Sequence, residues 1–214
     1  MRICFQSLAA RLGGSFVLSL VIVGCGQSAI QGEVASPSQP AAVFAENGSG
    51  RYQSARFGFS LTLPEGASWR IEDGGRSPWM VATHDETSSR LRIRASTERS
   101  ALSREACLDG SRELGLPDIE SAIVIDDRVE PLTGEEASVW LRAGIRIGEP
   151  GSIEGIVVAS AVSLRRCLVL VYETTVDQGP HPEQVVAERL AVVVHSVLPS
   201  LHFTPPLGLP QAER

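Results

Sequence analysis

Two neighbouring segments of this chain are apolar on both faces, and they restrict the fold more than any other feature. In residues 153–164, Val157, Ala159 and Ala161 alternate with Ile156, Val158 and Val162. In residues 167–176, Val169 and Val171 alternate with Leu168 and Leu170. A strand with one face in water would carry polar side chains at every second position. A strand that is apolar on both faces is covered on both. Arg165-Arg166 joins the two segments as a hairpin. The pattern therefore predicts two central strands of one sheet, with a packed layer above and another below.

Weaker signals surround this pair. Phe57, Phe59, Leu61 and Leu63 alternate as one face of a strand that Pro64 and Gly66 stop. Residues 69–72 and 79–83 read as short strands around Gly74-Gly75. In 90–95, Leu91, Ile93 and Ala95 point inward, and Arg90, Arg92 and Arg94 outward. Residues 122–128 and 137–147 are further strands. Ser103 is placed to cap a helix that runs to Leu114 and ends at Gly115 and Pro117, with Cys107, Ser111 and Leu114 on one face. Pro182 opens the last helix at a favoured first-turn position. Val186, Leu190, Val193, Val194 and Val197 form its buried stripe, and Pro199 ends it. The expected class is α+β: an antiparallel sheet of six to seven strands flanked by helices, over residues 51–203. Order is expected to begin near Tyr52, and the proline-rich tail 204–214 to fray.

The first 32 residues contain no acid. Arg2 and Arg11 give a basic start, and Phe16 through Val23 an apolar run of 8 residues. A membrane-spanning helix needs about 20, so this is the layout of a secretory signal. Small Gly24 then precedes Cys25. Ile22-Val23-Gly24-Cys25 resembles the lipobox of bacterial lipoproteins. The resemblance implies removal of residues 1–24, a diacylglyceryl group on the Cys25 thiol and acylation of the freed amine. Two hydrophobic signals suffice for stable anchoring, so such a chain would be held at an envelope membrane. Gly26 in place of Asp implies the outer membrane, facing periplasm or cell surface. An ordinary cleaved signal followed by an unmodified cysteine is the alternative. Residues 25–50 are dominated by Gly, Ser, Pro, Gln and Ala, the composition of a disordered tether.

The formal net charge is −6 and the chain has no lysine. That balance opposes a nucleic-acid partner, because phosphate binding needs a basic surface. Cys107 and Cys167 are an even pair in an oxidising compartment. They either bridge or pack as two buried free thiols.

Chemistry-bearing patterns are sparse. Arg90, Arg92 and Arg94 make a cationic stripe on one strand; Trp140, Arg142 and Arg146 lie on the outward face of another. If the two strands are close, the guanidinium groups form an anion-binding patch suited to lipid or glycan phosphate, or to an acidic protein. Otherwise they are a solvated sheet face with cross-strand ion pairs. Asp126, Asp127, Glu130, Glu135 and Glu136 match no calcium loop and read as an acidic turn. His84, His181, His195 and His202 are scattered, without zinc spacing, and His84-Asp85-Glu86 reads as a turn. There is no nucleophile elbow, phosphate loop or dinucleotide fingerprint. No cofactor or metal is expected, and the oligomeric state is open.

The opening Phe57-Gly58-Phe59-Ser60-Leu61-Thr62-Leu63-Pro64 strand is followed by Trp69, a middle helix, the run Leu168-Val169-Leu170-Val171-Tyr172-Glu173-Thr174 and a closing helix. This order resembles the PsbP/Mog-like α/β/α sandwich, including DcrB-like bacterial lipoproteins, over about residues 51–203. The resemblance implies an accessory or partner-binding protein rather than an enzyme, and no functional residue of that family maps onto a position here. The expected function is a lipid-anchored, non-catalytic binding or accessory module. A cavity between sheet and helix would point instead to a carrier of a small apolar or lipid ligand. Converging His, Asp and Ser side chains would point to a hydrolase.

Overall fold

The computed structural model describes residues 43–44, 50–98, 102–132, 137–149, 151–163 and 165–203. The signal segment, Cys25, most of the tether range, Glu135, Glu136 and the tail from 204 lie outside the described residues.

The two doubly apolar segments are strands β9 (Ile153–Ser163) and β10 (Arg166–Val176). They pair antiparallel over their whole length, with Val171 opposite Val158 and Leu170 opposite Ala159. Around them the chain builds β4 (Arg70–Glu72), β5 (Met80–His84), β6 (Ser89–Thr97), β7 (Ile123–Pro131) and β8 (Ser138–Ile147). The seven strands form one antiparallel sheet in the order β4-β5-β6-β10-β9-β8-β7. Helix α1 (Arg104–Arg112) connects β6 to β7, and the chain then returns strand by strand until β10 closes against β6. As their composition requires, β9 and β10 sit inside the sheet and are buried on both faces.

One face carries the larger core. Leu91, Ile93, Leu141, Val157, Leu168 and Leu170 meet helix α2 (Pro182–Val192) and a second, smaller sheet. Val186, Leu190, Val193, Val194 and Val197 are all buried, the expected stripe. Beyond Val192 the helix widens into a π turn, Val193–Val197, and ends in a 3₁₀ turn, Leu198–Ser200, that contains Pro199. The opposite face is covered by α1. Ser103 caps that helix, its hydroxyl accepting from the Ala106 N–H at 3.2 Å. Cys107 and Ser111 are buried and Leu114 packs beside them, over Trp79, Val169 and Val171. A Cys107–Cys167 disulfide, with Cα atoms 5.6 Å apart, ties α1 to β10. Of the two readings open for these cysteines, the bridge holds.

The smaller sheet departs from expectation. Its order is β1-β2-β3-β11, formed by β1 (Val43–Phe44), β2 (Gly50–Ser54), β3 (Phe59–Leu63) and β11 (His202–Phe203). Strand structure thus begins at Val43, inside the range whose composition suggests a tether, because β2 offers its edge and Val43 pairs with Arg51. The opening strand starts at Phe59 rather than Phe57. Gly58 takes φ +66° and donates to the Ser54 carbonyl at 3.0 Å, so Phe57-Gly58 is the turn between β2 and β3. Phe57 still stacks on Phe59, with ring centroids 6.3 Å apart. Tyr52 donates to Asp73 at 2.5 Å, linking β2 to the loop after β4. Burial, then this carboxylate, pushes its phenol well above the ordinary tyrosine range.

Candidate functional site

The arginine stripes share a face but not a site. Register places Arg92 opposite Val171, Val171 opposite Val158, and Val158 opposite Arg142. Antiparallel partners project to the same side, so Arg90, Arg92, Arg94, Trp140, Arg142 and Arg146 all belong to the α1 face. Strands β10 and β9 separate the two groups by three strand spacings, about 14 Å, and α1 packs over that gap.

Most of these cations already have partners. Arg92 is only 11 % exposed, donates to Glu173 at 2.9 Å and to the Gly115 carbonyl at 2.8 Å, and lies 5.5 Å from the Trp79 ring centroid. Arg142 donates to Asp127 and Glu120, and Arg146 to Glu154 at 2.6 Å. Arg142 is held even more firmly charged than a free arginine, first by Asp127. Trp140 lies under Arg104, 5.4 Å from its guanidinium carbon. Trp140 and Arg142 do line one groove of about 510 Å³, between α1, the 116–120 segment and β8–β9. Asp126, Asp127 and Glu130 lie in strand β7 and not in the expected acidic turn, because this segment pairs along β8, and Arg128 bridges Asp126 and Glu130 at 3.3 and 3.4 Å. With the bulge between Val124 and Asp126, these charges guard β7, an edge of the large sheet.

A different place collects the chemistry. A pocket of about 180 Å³ opens between α2, the outer part of β5–β6–β10 and the Pro64–Trp69 connection. Its walls are largely apolar: Pro64, Trp69, Leu91, Val192, Val193 and Val197. Two of these, Val193 and Val197, come from the π turn. At its inner end stands His84, 3 % exposed, with Trp69 edge-on at 5.2 Å.

Below His84 lies a chain of hydroxyl groups. Residues 84, 89 and 174 form one row across β5, β6 and β10, on the core face. Tyr172 donates to Ser89 at 3.0 Å, Thr87 donates to Ser89 at 2.8 Å, and Ser89 donates to Thr174 at 2.9 Å. Arg189 on α2 closes the network, donating to the Thr87 carbonyl at 2.7 Å and to Thr174 Oγ1 at 3.0 Å. His84 Nδ1 is 2.9 Å from Thr87 Oγ1. With the Thr87 hydroxyl directed at Ser89 this contact belongs to the Nδ1–H tautomer, and with the hydroxyls turned the other way Nδ1 accepts from Thr87. At the mouth stands Glu65, 75 % exposed, its Oε2 3.5 Å from His84 Nε2. Glu65 has φ +51°, a left-handed backbone that costs a non-glycine residue about 1–3 kcal/mol. The adjoining loop is pinned by the Trp69 indole, which donates to the Pro64 carbonyl at 2.9 Å.

The order carboxylate, imidazole, hydroxyl is thus present. The arrangement is a rigid polar floor beneath an apolar pocket.

His84, Glu65, Thr87, Ser89, Tyr172 and Arg189 were all outside the sequence-derived candidates. One signal was available. Met80, Ala82 and His84 alternate on β5, so His84 shares the inward face and is not a turn residue. The same alternation brings Ser89 in with Leu91, and Thr174 with Tyr172.

The fold and this site define a class: an antiparallel α+β protein with a small apolar pocket floored by a hydroxyl network. No family model matches the chain, and no curated protein matches it. Among solved structures it is similar to cyanobacterial PsbP (CyanoP) from Synechocystis sp. PCC 6803, at 10 % identity and a TM-score of 0.47, covering 78 % of this chain and 99 % of that one. It is also similar to a protein from Bacteroides thetaiotaomicron VPI-5482, at 12 % identity and a TM-score of 0.41, covering 74 % of this chain. The match spans 49 % of that protein's length.

Proposed function

We propose that this chain is a lipid-anchored envelope module that binds a small, mainly apolar ligand in the pocket between α2 and the large sheet. The pocket itself carries the reading. An apolar recess with a few convergent polar groups is the usual form of a ligand site. Its volume, about 180 Å³, exceeds the roughly 150 Å³ of an engineered cavity that takes up benzene. The floor is held by hydrogen bonds among four separate elements, so little ordering cost is left for binding. The Cys25 lipobox resemblance and the composition of the tether range support the anchored location.

The test is titration of the full chain with toluene, followed by calorimetry or ligand-observed NMR. Saturable binding is expected. Val192 lines the mouth and is 42 % exposed, so Val192→Trp should fill the entrance without disturbing the core. Binding should disappear while the melting temperature stays within a few degrees. Unsaturable partitioning, or undiminished binding by Val192→Trp, refutes the pocket.

A further inference from the structure

In the Nδ1–H tautomer of His84, the one that goes with a Thr87 hydroxyl donating to Ser89, two acceptors meet at one side of the pocket: the Nε2 lone pair of His84 and the Glu65 carboxylate. Glu65 Oε2 lies 3.5 Å away. That is longer than the roughly 2.7–2.9 Å of a charge-assisted N–H···O bond, so a donor placed beside both atoms can improve on their direct contact. The carboxylate is one of a strained residue held over the recess by its left-handed backbone, and backbone strain of this kind collects at ligand clamps. Trp69 and Leu91 line the same pocket, whose volume of about 180 Å³ admits one ring.

A ligand that suits both ends has an apolar ring or short alkyl body and a terminal group that donates hydrogen bonds and carries positive charge. We infer that the pocket recognises a small organic cation, a primary ammonium on an apolar body, its N–H groups shared between His84 Nε2 and Glu65. This rests on the pocket reading above and deepens it. An ammonium supplies three donors and no acceptor, which complements two acceptors side by side. A carboxylate ligand would face Glu65 with like charge. A neutral alcohol supplies one donor and can satisfy only one acceptor.

The experiment compares four probes of one shape on the full chain: toluene, benzyl alcohol, benzylammonium and benzoate. Benzylammonium is expected to bind about tenfold tighter than benzyl alcohol, the usual scale of one added charged hydrogen bond, and benzoate not to bind measurably. Glu65→Gln keeps the shape and should bring benzylammonium down to the level of benzyl alcohol. Imidazole ¹⁵N shifts of the unliganded chain should report the Nδ1–H tautomer for His84. Toluene binding without any preference for the ammonium, or an unchanged preference in Glu65→Gln, overturns the cation inference and leaves the pocket standing. An Nε2–H tautomer overturns it too. Failure of every probe overturns the pocket reading and this one with it.

Discussion

At Gly155 on β9, α2 packs directly against the sheet. A Cβ added there would lie 2.5 Å from Val186 Cγ1 and 3.0 Å from Leu190 Cδ2. Carbon atoms pack best at about 3.5–4.0 Å, so the helix must retreat by about 1 Å. Neither side chain can turn away, since Val186 is 0 % and Leu190 2 % exposed, and valine in a helix has essentially one χ1 rotamer. Overpacking of this kind costs about 1–3 kcal/mol. Replacing a strand glycine returns about 0.5–1 kcal/mol of backbone entropy. Gly155→Ala should therefore lose about 1–2 kcal/mol. For a domain near 150 residues that is roughly 2–8 °C of melting temperature, at about 2–4 °C per kcal/mol. Circular dichroism melts of four proteins test it: wild type, Gly155→Ala, Val186→Ala and the double variant. Val186→Ala removes the nearest methyl and leaves only the milder Leu190 contacts at 3.0 and 3.2 Å, so Gly155→Ala should cost clearly less in that background, a coupling of about 1 kcal/mol. Equal cost in both backgrounds, or a single variant at least as stable as wild type, refutes the packing argument.

Four other outcomes are expected. Replacing Cys107 and Cys167 together by Ala opens a loop of 60 residues and should cost about 4 kcal/mol in the chain-entropy model, read as a lower denaturant midpoint. Arg92→Ala should destabilise by about 1–3 kcal/mol, since it strands the Glu173 carboxylate and uncovers Trp79; an exposed stripe arginine would show almost no change in a melt. The Glu105 carboxyl is held below the ordinary glutamate range, first by its own backbone N–H and then by the Ser103 hydroxyl. Its contribution is therefore present above the unfolded value and lost as pH falls through the lower folded one, and Glu105→Gln should flatten the acid limb of the stability profile slightly. Metabolic fatty-acid labelling should mark the wild type and not Cys25→Ala, and a labelled Cys25→Ala chain would remove the lipobox reading.

Residues adjacent in sequence were enough to reveal the doubly buried β9 and β10, the Ser103 cap, the α2 stripe and the inward set of β6. Each depends on a period of 2 or 3.6 that the chain carries locally. The same alternation, read one residue further along β5, already assigned His84 to the interior. Strand order is another matter. Burial of whole faces seated β10 between β9 and β6, and so set two shielded strands between Arg92 and Arg142, whose outward positions had been legible. The small sheet formed because Gly58 turns β2 onto β3, whose other edge takes β11, the last strand among the described residues. The pocket belongs wholly to tertiary structure. Arg189 meets the Thr87 carbonyl across 102 residues of chain, and Glu65 reaches His84 from the connection between two sheets. A periodicity specifies which side of an element is buried, but a site made of contacts near 3 Å among separate elements exists only after packing has fixed their separations.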